Sequence, residues 1–181
     1  MPTALTLSGS IRKGSYNRLL QAHVGQQLHA AGVAVTAIDL GDFPMPIFNE
    51  DLEAHDTPAA AAELAALFTS HDIIFIASPE YNGGVSPLMV NTIAWLSRQR
   101  PSPFRHAVFG IGGVSSGKYG TIWALSHLRE SLTKIGALVV PTLLGIGPAE
   151  TALDDTGTPT EVAITRKIEQ IVSELTHFSR G

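Results

Sequence analysis

Apolar residues along this chain gather in short unbroken runs, separated by longer stretches with helical spacing. The runs at residues 4–7, 33–39, 73–77, 107–111 and 137–141 predict five strands. Most are continuous rather than alternating, the pattern of strands covered by helices on both faces. The stretches 16–31, 58–70, 87–98, 121–135 and 159–177 predict five helices. In the first, Leu19, Leu20, Val24 and Leu28 recur at helical spacing and Gly32 marks the stop. The second is rich in alanine, which helix propensity and close packing explain. Segments 41–57 and 145–159 carry prolines and turn residues and read as loops, candidates for partner or ligand contact but more simply solvated connections.

Strands alternating with helices predict βα units and a parallel sheet. Five such units predict an α/β, doubly wound, three-layer fold, and ligands of such folds sit beyond the carboxyl ends of the strands at the switch in strand order. With 181 residues, one domain spanning 1–181 is expected. The formal net charge of −4 speaks against nucleic-acid binding but allows an anion held by local donors. The chain has no Cys, which fits a reducing compartment. Residues Met1 to Leu5 run straight into a strand-like segment, so no secretory signal is expected. No apolar run approaches the ~18–20 residues of a membrane span. A cytoplasmic protein without membrane association is the expectation.

Three strand-end loops carry the candidate chemistry. The first is Ser8-Gly9-Ser10-Ile11-Arg12-Lys13-Gly14-Ser15-Tyr16-Asn17, which follows a strand and opens a helix. Its small residues let the backbone approach an anion, and the helix start offers free N–H groups and positive dipole. Ser10, Ser15 and Asn17 add neutral donors, and Arg12 adds a fork suited to phosphate oxygens. A plain turn with Ser15 as N-cap would account for one serine only. The loop lacks the lysine of a triphosphate-binding loop and the glycine spacing of a dinucleotide fingerprint.

The second loop, Ser78-Pro79-Glu80-Tyr81-Asn82-Gly83-Gly84, uses ordinary turn residues, yet beside an anion loop it offers room for a flat ring. Glu80 is the carboxylate of that loop, and accepting backbone hydrogen bonds suits it better than acting as a base. The third loop is read as 110–120. Its Gly112–Lys118 stretch begins like a phosphate loop, but Tyr119 stands where Ser or Thr must bind magnesium. A glycine-rich wall beside a planar ring is the better account. The seven histidines show no metal-ligand spacing, and Trp95 and Trp123 read as core or interface anchors.

Gly9-Ser10-x-Arg12-x-x-Ser15-x-Asn17, then Pro79-Glu80-Tyr81-Asn82, then Asn91-Thr92-Ile93-Ala94-Trp95-Leu96-Ser97-Arg98 resemble the NAD(P)H-dependent FMN reductase family, in order and spacing over nearly the whole chain. The resemblance implies a flavodoxin-like three-layer α/β/α fold with a doubly wound parallel five-stranded sheet. It implies FMN as cofactor and NADPH or NADH as co-substrate. The acceptor would be a small molecule such as a quinone, free flavin, chromate or azo compound. It also implies a homodimer or homotetramer. By the same resemblance Ser10, Arg12, Ser15, Tyr16 and Asn17 would hold the FMN phosphate. Pro79, Glu80, Tyr81, Asn82 and Gly83 would line the ring, and Ser115, Ser116 and Gly117 would close the pocket. The chain departs from the family at Val90 and Ala94, where a lysine and an acid are usual, and Gly83-Gly84 leaves the pocket mouth less bulky. A non-enzymatic FMN carrier of flavodoxin type is the alternative, although such carriers are usually more acidic and shield the ring with aromatics.

Overall fold

The computed structural model describes residues 1–178; the last three residues of the expected domain lie outside it. In chain order the elements are β1 (Thr3–Ser8), α1 (Tyr16–Ala30), β2 (Ala34–Ile38), a 3-10 turn (Leu40–Asp42), α2 (Glu50–His55), α3 (Ala59–Thr69) and β3 (Ile73–Ala77). There follow β4 (Glu80–Tyr81), β5 (Gly84–Val85), α4 (Pro87–Ser97), β6 (Val108–Val114), α5 (Ile122–Lys134), β7 (Leu138–Ile146), α6 (Ala149–Ala152) and α7 (Val162–Thr176). Five parallel strands form one sheet in the order β2-β1-β3-β6-β7, and β4 and β5 form a separate antiparallel pair. The chain steps from β1 outward to β2, then returns across β1 to β3, so the order reverses between β1 and β3. Their diverging crossovers leave a crevice at the carboxyl edge.

The continuous apolar runs are explained by two cores, one on each face of the sheet. Ala4, Ile73, Phe75 and Ala77 face α1 and α7, where Leu20, Val24, Leu28, Ile168 and Ile171 pack. Leu5, Leu7, Ile74 and Ile76 face the other way, onto Leu64 and Phe68 of α3, Leu96 of α4 and Leu125 and Leu128 of α5. Successive side chains thus alternate between two buried faces, and no polar face is needed. No helix among the described residues is long and apolar enough to cross a membrane.

Several boundaries differ from the pattern-based expectation. β6 runs on to Val114, so Gly110, Gly112 and Gly113 are strand residues rather than the wall of a loop. A methyl at Gly110 would lie 2.9 Å from Leu175, and one at Gly113 would lie 2.1 Å from the carbonyl oxygen of Ser78. These glycines therefore serve close packing within the sheet. β7 continues through Pro141 to Ile146. Its register against β6 shifts between Phe109 and Ile111, and an edge strand tolerates proline at such an irregularity. The bulged residues find partners on two sides. Arg129 of α5 donates to the carbonyls of Val140 (2.6 Å) and Pro141 (2.8 Å), while Glu174 of α7 accepts from the Thr142 N–H (2.9 Å) and hydroxyl (2.7 Å).

The two expected loops contain helices. Asn49 caps α2, whose first turn carries Glu50, Asp51 and Glu53. The strap around it is fastened to α4. Asn91 accepts from the Phe48 N–H (2.8 Å) and donates to the Pro46 carbonyl (2.9 Å), and the Trp95 indole N–H donates to the same carbonyl (2.8 Å). Arg98 pairs with Glu50 and Glu53 and lies over the Phe48 ring. Asn91 and Trp95 of α4, with its C-cap residue Arg98, therefore form one face that holds the strap. In the second loop, α6 follows Pro148, and Leu153 bridges Pro159 before α7 starts at Val162.

Candidate active site

The β1 end and its loop are shaped by hydrogen bonds among small residues. The Gly9 N–H donates to the Ala77 carbonyl of β3 (2.8 Å), and its own carbonyl accepts the buried Ser86 hydroxyl at the start of α4 (2.8 Å). Ser8 accepts from the Ser10 N–H (3.2 Å), and Ser10 from the Arg12 N–H (3.4 Å). Gly14 has φ +69°, a conformation that favours glycine, and returns the chain to Ser15. Ser15 is the N-cap of α1 and accepts from the Asn17 N–H at 3.3 Å. Tyr16, the first helical residue, offers one of the N–H groups that every helix start leaves unpaired. Arg12 is exposed, and no salt bridge pairs it with a carboxylate among the described residues, whereas the nearby Arg18 is paired with Asp39 at 2.8 Å.

Asn17 is placed differently from its neighbours. The residue is only 4% exposed, with its amide turned onto Val114. Nδ2 donates to the Val114 carbonyl at 3.0 Å, and Oδ1 accepts the Val114 N–H at 2.9 Å.

The second loop is a tight hairpin of β4 and β5. Asn82 (φ 52°) and Gly83 (φ 73°) form its tip, the Asn-Gly geometry of a two-residue turn whose twist matches the strands. Glu80 Oε2 accepts the Ala124 N–H at 3.0 Å, in the positively polarised first turn of α5, so this carboxylate fixes the hairpin to that helix. The third loop starts at Ser115. The Ser115 N–H donates to the Ile146 carbonyl (3.1 Å), its hydroxyl donates to the Gly120 carbonyl (2.8 Å), and its carbonyl accepts the Ala149 N–H (2.9 Å).

These loops enclose a cleft of about 320 Å³ beside the β1/β3 switch. Of the residues singled out from the sequence, Ser10, Arg12, Ser15, Tyr16, Asn17, Pro79, Glu80, Tyr81, Ser115 and Ser116 line it. Asn82, Gly83 and Gly117 do not: the first two turn away at the hairpin tip, and the Gly117 carbonyl packs towards Gly147. Val114, Ala149 and Glu150 line the cleft as well; none was singled out as a site residue, although the last two lie in the 145–159 loop that was a candidate for ligand contact. Ala149 and Glu150 follow the fifth sheet strand. The carboxyl-edge rule applied to that strand, together with Pro148 before an acid as a helix-start signal, would have found them.

The donor set suits a phosphate monoester. Two hydroxyls, a guanidinium bonded among the described residues only to the neighbouring Lys13 carbonyl (3.3 Å) and a 15-residue helix start surround one small volume, and none of them is a metal-binding or triphosphate-binding device. The same cleft continues between Pro79, Glu80 and Tyr81 of the hairpin and Ser115–Ser116 of the third loop. The residues present therefore fit FMN.

A phosphate cradle at the switch point of a parallel five-stranded sheet defines an α/β protein that binds a mononucleotide. The description NADPH-dependent FMN reductase matches residues 2–151. An NAD(P)H-dependent FMN reductase of Pseudomonas aeruginosa is 34% identical over 156 residues, 84% of this chain and 82% of that protein. A quinone reductase of Escherichia coli is 31% identical over 179 residues, 96% of this chain and 92% of that protein. Two solved structures share the fold. The flavoenzyme NAD(P)H:(acceptor) oxidoreductase FerB of Paracoccus denitrificans has a TM-score of 0.79 at 24% identity, covering 97% of this chain and 98% of that one. A Streptococcus pneumoniae flavodoxin has a TM-score of 0.62 at 14% identity, covering 97% and 98%. The chain belongs to the NADPH-dependent FMN reductase family and is an FMN-dependent oxidoreductase that uses NAD(P)H.

Proposed function

We propose that this enzyme oxidises NADPH or NADH and reduces a small acceptor, with quinones the leading class. The observation that carries the reading is the cleft at the β1/β3 switch, where the phosphate-type donors of the first loop share one volume of about 320 Å³ with residues of the hairpin and the third loop. Ser10, Ser15, the Tyr16 N–H and Arg12 hold the phosphate through hydroxyl, backbone and guanidinium hydrogen bonds. Pro79 and Tyr81 flank the ring, and Ser115 and Ser116 close the cleft from the third loop. When bound, FMN supplies the redox chemistry, and the protein's part is binding, orientation and electrostatics. A quinone as acceptor agrees with the quinone reductases among the relatives. Free flavins, chromate and azo compounds are further acceptors to screen. The enzyme works in the cytoplasm as a homodimer or homotetramer. The exposed Tyr81, Tyr119, Ile122 and Trp123 near the hairpin and the start of α5 support an assembly.

Purified protein should be yellow, NADPH or NADH should bleach it under anaerobic conditions, and a quinone should restore the colour. Colour without bleaching would point to a flavodoxin-type electron carrier. Absence of both colour and FMN binding would sink the reading altogether.

A further inference from the structure

β3 ends at Ala77, opposite Gly112, while β6 continues two residues further, to Val114. On its other side β6 stays paired with β7 as far as Val114 and Ile146. The N–H and carbonyl of Val114 would therefore lack a partner on the β3 side. Asn17 supplies both, its amide donating at 3.0 Å and accepting at 2.9 Å across 97 residues of sequence. The pair is buried, so each bond replaces one that water cannot make. Val114 leads directly into Ser115 and Ser116, which line the cleft.

We propose that Asn17 is a positioning residue rather than a phosphate ligand. Its amide completes the sheet at the end of β6 and fixes the 115–120 loop relative to the start of α1. The phosphate cradle and the third wall of the cleft are thereby held at one spacing. This rests on the FMN reading of the same cleft. A ligand of the phosphate acts only on flavins that carry one. A residue that sets the spacing of the walls acts on the ring as well.

The test is to titrate the flavin-depleted full chain with FMN and with riboflavin, which has the ring but no phosphate. For Asn17→Ala, the dissociation constants of both should rise together by about tenfold, with their ratio unchanged. Amide hydrogen exchange should also rise across residues 115–120 of the FMN-loaded protein. A loss confined to FMN, or no change for either flavin, overturns the proposal. Should Asn17→Ala fail to fold, Asn17→Asp is titrated with riboflavin, where no phosphate is present to be repelled. It keeps the acceptor for the Val114 N–H but loses the donor to its carbonyl. Weaker riboflavin binding is expected, and unchanged binding overturns the proposal. If the wild-type chain binds neither flavin, the FMN reading itself fails and this proposal with it, an outcome the unmutated control separates from the rest.

Discussion

At the scale of single residues, the first loop was largely readable. Ser10, Arg12 and Ser15 have local roles that follow from residue type and from their place before a helix, and all three line the cleft. Asn17 was not readable in the same way, because its partner Val114 is set by the sheet and lies far off in sequence. Arg12 is the residue whose removal should separate phosphate binding from ring binding. It is exposed and its side chain bonds only the adjacent Lys13 carbonyl among the described residues, so Arg12→Ala leaves the fold alone and deletes charge-assisted hydrogen bonds to the phosphate worth roughly 1.5–3 kcal/mol. FMN affinity measured by fluorescence quenching should fall about ten- to hundredfold, while riboflavin affinity stays as it was.

At the scale of elements, the number of sheet strands was legible because the three central strands are buried apolar runs and the two edge strands, though partly exposed, keep enough apolar residues to stand out. Their carboxyl ends were not. Glycines extend β6 and a proline sits inside β7, and both residue types signal a turn when read locally. The role of the Asn91–Arg98 motif was equally hidden, since its partners are on the strap at 46–53. Asn91→Ala should cost about 1–3 kcal/mol by stranding the Phe48 N–H, and limited proteolysis should then cut the strap faster. An unchanged digestion rate would mean that Trp95 and Arg98 suffice to hold it.

The β7 edge gives a pH prediction. Burial pushes the Glu174 carboxyl up, but the Thr142 hydroxyl and N–H, the Gln170 amide and the Arg129 charge outweigh it, and the pKa lies below the usual glutamate value. A carboxyl with a depressed folded-state pKa stabilises fully above its unfolded value, about 4.3. That contribution is lost as pH falls through the folded value. Asp72, held low chiefly by the Thr3 N–H, acts in the same sense. The melting temperature should therefore drop as pH goes from about 5 towards 3, less steeply in Glu174→Gln. Superimposable acid limbs would show that Glu174 is not a contributor.

At the scale of the whole molecule, the doubly wound parallel sheet followed from the alternation of elements, but its strand order and the outer surface did not. Trp123 is 63% exposed and Tyr119 79% exposed, so neither belongs to a core of the single chain, whereas Trp95 is fully buried. Trp123→Asp tests whether a second copy covers this area. An acid suits the first turn of a helix, so α5 should persist. Sedimentation should show the assembly weakened by at least about tenfold in dissociation constant. An unchanged sedimentation profile would place the contact elsewhere.

The loops around the cleft are bonded to one another through the protein's own groups. Ser86 holds Gly9, Asn17 holds Val114, Glu80 holds Ala124 and Ser115 holds Ile146. Their ordering entropy is thus settled when the chain folds, before a flavin arrives. Uptake should then proceed in a single second-order phase with no slow closing step. Differences in flavin affinity among variants would be read almost wholly in how fast the flavin leaves.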